Sequence, residues 1–138
     1  MTGAIVCVAV LAATATFGMF WNRRNGRMKD SPRPAGDAEI LTENELGGPL
    51  GGRATLVQFS SAFCAPCRAT RVILADVARQ VDGVAHVEID AESHLDLVRK
   101  LDIRRTPTVL LLGPDGRIAQ RGSGQPRKAD VIAAIGTI

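Results

Sequence analysis

Three observations in this 138-residue chain predict an α/β domain with a mixed sheet, carried behind one apolar N-terminal segment. Apolar runs of strand length alternate with stretches of helical period, and the last strands are joined by a tight turn. Gly and Pro clusters mark the boundaries between them. The first 21 residues carry no charged side chain. The chain is long enough for one compact domain and little else. Hydrophobic residues make up 46% and charged residues 22%, which excludes a disordered chain. Three cysteines are too few for a disulfide framework.

Gly3 to Trp21 reads as a membrane-spanning helix, since 19 uncharged residues at 1.5 Å each span ~28 Å. Phe20 and Trp21 close it as interface aromatics do. A cleaved signal peptide is the rival reading, with Ala13-Thr14-Ala15 as cleavage site, but no Lys or Arg precedes the apolar run. Cys7 within it reads as a small apolar residue. The net charge of +3 resides at Arg23, Arg24, Arg27 and Lys29, set against Asp30. The remainder holds 13 residues of each sign, which gives no reason to expect a nucleic-acid partner. Positive flanks stay in the cytoplasm, so the globular part is expected to face inward; an extracytoplasmic domain is the alternative. The expected division is an anchor over 1–22, a basic Pro/Gly linker over 23–36 and a domain over 37–138.

Ala38 to Leu41 is a first strand candidate, and Thr42 with Glu45 forms a capping box for a short helix. Thr55 to Phe59 is a buried strand. Cys67 to Val81 has helical period, with Ile73, Val77 and Val81 on one face. Val84 to Ile89 is a strand with Ala85, Val87 and Ile89 on one side and His86 and Glu88 on the other. Ser93 to Leu101 is a helix, and Thr108 to Leu112 a strand. Gly113-Pro114-Asp115-Gly116 turns the chain into a returning strand over Arg117 to Gln120. Lys128 to Ile135 is a closing helix. Helices are expected on both faces of the sheet.

Cys64-Ala65-Pro66-Cys67 follows a buried strand and opens a helix. Unpaired N–H groups and the helix dipole there favour a thiolate, so Cys64 is the expected nucleophile. Two intervening residues bring the sulfurs within bonding distance, so Cys67 can resolve a mixed disulfide. Pro66 suits the first helical turn. A zinc site would need two further ligands, and neither a second Cys pair nor a His pair with zinc spacing is present. No metal is expected, and no G-x-G-x-x-G or P-loop signals a nucleotide cofactor.

Thr55 through Cys67, then Val87-Glu-Ile-Asp90, Ile103 through Val109 with Thr106-Pro107 at its centre, and Gly122 together resemble the thioredoxin family. The resemblance covers about Asp37 to Ile138 and implies a thioredoxin fold, a central mixed sheet flanked by helices on both faces. It implies a protein-disulfide reductase working through Cys64 and Cys67 with no cofactor beyond that redox-active pair. Pro107 is then a cis-proline beside the cysteines, the Thr106 backbone pairs with an extended substrate segment, and Gly122 lets the substrate approach. Protein disulfides are the implied substrates, thioredoxin reductase the electron donor for an inward-facing domain, and a monomer the expected state. An extracytoplasmic exchange protein or oxidase, or a docking module without turnover, are the alternatives.

The sequence departs from the family pattern at several positions. Phe63 and Ser60 stand where two tryptophans are usual, and Ala65 replaces a glycine. Gln58 replaces a buried Asp that moves the proton of the second cysteine, and Gln cannot ionise. His86 stands where Lys is frequent and is a candidate proton relay, against the plainer reading of a half-exposed strand histidine.

Overall fold

The structure, a computed structural model, describes residues 2–30 and 39–138. Along the chain run α1 (Thr2–Arg24), β1 (Lys29–Asp30), α2 (Glu43–Leu46), β2 (Ala54–Ser60), α3 (Ala65–Gln80) and β3 (Val84–Asp90). α4 (Leu95–Lys100), β4 (Thr108–Leu112), β5 (Ile118–Ser123) and α5 (Lys128–Ile135) complete it. The five strands form one sheet in the order β1-β5-β4-β2-β3. β2 and β3 are parallel, with Val57 opposite Val87, while β2–β4, β4–β5 and β1–β5 are antiparallel.

Alternation along β2 divides the core in two. Val57 and Phe59 face α2 and α4, where they pack with Leu46, Leu97, Leu101, Leu110 and Leu112. Ala54 and Leu56 face α3 and α5, packing with Leu74, Val77, Val109, Leu111, Val131 and Ile135. All seven β2 residues are buried, so this strand holds the site from behind while each buried Leu adds about 1.5–3 kcal/mol. In α3 the buried stripe is Cys67, Thr70, Leu74 and Val77. Of the expected face, Val77 is buried and Val81 packs against the same cluster, whereas Ile73 is only half-buried and the sheet takes Leu74 beside it.

The start of the domain differs from expectation. Ile40 makes only an isolated bridge to Arg117, although Leu41 is fully buried and its N–H bonds Gly116 O at 2.9 Å. The strand on the outer edge of β5 is instead Lys29–Asp30, paired with Arg121 and Gln120. A backbone ladder satisfies that edge without needing apolar side chains, so no hydrophobic pattern announces it. The rest of the expected linker, residues 31–36, lies outside the described residues, as do Asp37 and Ala38.

α1 is 23 residues long with no buried residue, and its best 18-residue window has a mean hydropathy of 2.1. By length and composition it is able to cross a membrane or to serve as a signal sequence.

Candidate active site

β2 delivers the chain to the sheet's end at Ser60, and four residues later Cys64 caps α3. The Cys67 N–H donates to Cys64 Sγ at 3.2 Å, a sulfur N-cap that satisfies one of the helix's open donors. Ala65 and Pro66 occupy the first turn, where proline's missing N–H costs nothing. Cys64 and Cys67 are joined in a disulfide with Cα atoms 5.2 Å apart. The two sulfurs are not equivalent: Cys67 is 1% exposed, whereas Cys64 is half-buried and adjoins the fully exposed Phe63.

Ser61 and Thr106 share a hydrogen bond between their hydroxyls at 3.0 Å, which ties the loop before the disulfide to the loop before β4. The Thr106–Pro107 peptide bond is cis. Thr108 Oγ1 donates to Arg105 O at 2.7 Å and braces that turn. Among the described residues, the Thr106 N–H and C=O make no hydrogen bond to the rest of the chain. An extended segment arriving there finds a free donor and acceptor.

Gly122 does not take the place expected of it. It pairs with Val109 inside the sheet and is buried, and a Cβ on it would lie 2.8 Å from Met28 Sδ. The glycine adjoining the cis bond is Gly124, whose N–H donates to Pro107 O at 2.7 Å and whose φ is +93°. Only glycine holds that conformation without strain. A second Gly two residues beyond Gly122 was visible in the sequence, but its contact with Pro107 was not.

Behind Cys67 the site is polar. Gln58 is fully buried and its Nε2 donates to Cys67 O at 2.8 Å. Glu88 receives two bonds from Arg71, at 2.6 and 2.7 Å, and one from Ser60 Oγ at 2.7 Å. Burial pushes the Glu88 carboxyl up, but the bonds from Arg71 and Ser60 outweigh it and hold it below its ordinary range. His86 shares the α3-facing side of β3 with Glu88. Burial lowers its pKa; the Glu88 charge opposes that shift and the Arg71 charge adds to it. Gln58 Oε1, Thr70 Oγ1 and His86 Nε2 are buried without a hydrogen-bond partner among the described residues. Ser60 helps to line an open cavity of about 470 Å³ between the disulfide, Arg68, Arg71 and Glu88. A larger cavity, about 570 Å³, lies along α4 beside His94 and Glu45, and no cysteine lines it.

The family model described as thioredoxin matches residues 50–137, from the turn before β2 to the end of α5. Thioredoxin H4-1 of Oryza sativa subsp. japonica is 27% identical over 85 residues, 61% of this chain and 65% of its own. Thioredoxin C-2 of Corynebacterium nephridii is 33% identical over 73 residues, 52% of this chain and 68% of its own. The chain spans 45% of thioredoxin H5 from the same rice, so the curated relatives are matched in part of their length. Among solved structures, chloroplastic thioredoxin z superposes with a TM-score of 0.56 at 27% identity, covering 62% of this chain and 78% of that one. A thioredoxin from Halobacterium salinarum reaches the same TM-score at 20% identity and shares the fold, covering 62% and 74%. The matched span takes in the disulfide, the helix it caps and the cis-proline turn, and on that ground the chain belongs to the thioredoxin family.

Proposed function

We propose that this chain is a membrane-anchored thiol–disulfide oxidoreductase that reduces protein disulfides. The observation that carries the reading is the asymmetric disulfide at the start of α3, with Cys64 accessible and Cys67 buried. In the reduced protein the α3 N-terminus favours the Cys64 thiolate. That thiolate attacks one sulfur of a substrate disulfide, forming a mixed disulfide and releasing the other sulfur as a thiolate. Cys67 loses its proton and attacks Cys64, which frees the second substrate thiolate. Two electrons pass to the substrate, and the Cys64–Cys67 bond re-forms. The Thr106 backbone aligns the substrate segment beside Pro107, and Gly124 keeps that approach open.

His86 is the proposed proton relay for Cys67. Gln58 fixes the Cys67 carbonyl but has no ionisable group, whereas neutral His86 has a basic nitrogen on the same side of the sheet. α1 is the proposed anchor. The cations that follow it favour a cytoplasmic domain, and thioredoxin reductase is the donor that fits that side.

With dithiothreitol as donor, Cys64→Ser is expected to abolish disulfide reduction. Cys67→Ser is expected to accumulate mixed disulfides with substrate. Turnover that survives Cys64→Ser, with no trapped species in Cys67→Ser, rejects the redox reading.

A further inference from the structure

Where α1 ends, the chain does not leave for solvent but folds back onto the domain. The Gly26 N–H donates to Ser123 O at 2.7 Å, and β1 then pairs with the edge of β5. This brings Arg24, Arg27 and Lys29 to Arg105, in the loop before the cis-proline, and to Arg121 of β5. The five cations line one open cavity of about 450 Å³ that holds no carboxylate among its described lining residues. Asn25 and Ser123 add polar groups to the wall.

The cluster is held in place rather than merely crowded. Arg105 Nη2 donates to Asn25 Oδ1 at 3.2 Å and to Ser123 O at 3.0 Å. Arg121 Nη2 donates to Leu101 O at 2.5 Å. Arg24 lies over the Phe20 ring, 5.1 Å from its centroid. Arg24, Arg27, Lys29 and Arg105 are four like charges in one concavity; they repel each other, and an anion placed among them lowers that repulsion. Phe20 and Trp21 mark the interface end of α1, and the cavity begins at its last residue. That is the depth at which phospholipid phosphates lie.

We propose that this cavity binds the phosphate of an anionic phospholipid headgroup, fastening the domain to the membrane surface beside the loop that carries Thr106 and Pro107. The inference rests on the reading of α1 as an anchor. An acidic flank of a protein substrate would use the same charges, but the position at the end of an apolar 23-residue helix favours the lipid.

The test uses the full chain in detergent micelles, with bound lipid counted by native mass spectrometry. Phosphatidylglycerol is expected to bind at least about tenfold more tightly than phosphatidylcholine. Each cation at an anionic surface strengthens binding about fivefold, so Arg105→Gln with Arg121→Gln should weaken phosphatidylglycerol about thirtyfold and leave phosphatidylcholine unchanged. Arg27→Gln with Lys29→Gln is a second pair, in residues that make no side-chain hydrogen bond among the described residues. It should weaken phosphatidylglycerol to a similar extent. Equal binding of the two lipids, or no loss in either pair, overturns the site. Displacement of the lipid by inorganic phosphate or by an acidic disulfide peptide at equal concentration overturns the lipid assignment. Anchoring is read separately, from retention of the chain in nanodiscs of phosphatidylcholine alone. A chain that is not retained refutes the anchor and the lipid site with it. A retained chain without phosphatidylglycerol preference refutes the site alone.

Discussion

Gln58, Thr70 and His86 each keep a buried polar atom without a protein partner among the described residues. The charged groups facing His86 are Glu88 on its own strand and Arg71 on α3, and its partner on β2 is the uncharged Leu56. Because its folded pKa lies below the unfolded value of about 6.5, the unfolded chain takes up the proton first as pH falls. Stability is therefore expected to be full above about pH 6.5 and to decline below it. Urea unfolding at several pH values reads this slope, which His86→Gln should flatten. The relay adds a kinetic signature that a purely structural histidine does not have. The resolving step should slow as pH drops through the His86 pKa, and His86→Gln should lose that limb with at least about a tenfold lower rate at pH 7. Gln58→Asp in the same background should recover part of the rate. An identical pH–rate profile in His86→Gln removes the residue from the reaction.

At the scale of elements, the fold's beginning depends on one turn of helix. Thr42 Oγ1 accepts the Glu45 N–H at 3.4 Å, and the Glu45 carboxylate accepts the Thr42 N–H at 2.9 Å. Lys100 of α4 reaches the same carboxylate at 2.5 Å. The Lys100 bond and the Thr42 amide hold the Glu45 pKa down at about 2, which keeps this cross-link charged until strongly acid pH. Its stabilisation is present above the ordinary pKa near 4.5 and is lost as pH falls toward 2. Thr42→Ala should cost about 1 kcal/mol and lower the Tm by about 4–8 °C. Calorimetry at neutral pH checks it, and an unchanged Tm would show that α2 is held by Leu46 packing alone. This cap was legible because its chemistry is local: a Thr and a Glu at fixed spacing. The cysteine pair opening α3 was legible for the same reason. What the sequence did not show depends on distant register. β1 is two residues whose contribution is backbone pairing, and no side-chain pattern encodes that. Gly122 and Gly124 are both plausible partners for Pro107 until the hairpin is seen, and the hairpin carries a register shift between Leu111 and Leu112. Neither the Arg105–Asn25 contact, 80 residues apart, nor the basic cavity it helps to close has any local signal.

For the whole molecule, the contrast between α1 and the domain bears on where the proposed chemistry takes place. The domain encloses its apolar residues in two clusters, whereas Ile5, Val8, Leu11, Phe17 and Phe20 of α1 all stand more than half exposed. Nothing in the described chain covers that surface, and the helix's length matches the thickness of a bilayer's hydrocarbon core. Which side the disulfide then faces sets its partners, because a cytoplasmic dithiol and an extracytoplasmic one draw electrons from different sources. On the proposed reading of α1 as an anchor, the four cations that follow its apolar run place the domain in the cytoplasm. Cys7 is a free, exposed thiol within α1, so the measurement belongs in a Cys7→Ser background, where the active-site pair supplies the remaining thiols. After reduction, a membrane-impermeant maleimide is added to intact spheroplasts and to a lysed control. Labelling of Cys64 only after lysis is the expected result, and it fits a reductase recharged by thioredoxin reductase. Equal labelling in intact spheroplasts reverses the topology. The same disulfide would then work as an extracytoplasmic exchange protein fed from the membrane, and the basic cavity would face the outer leaflet.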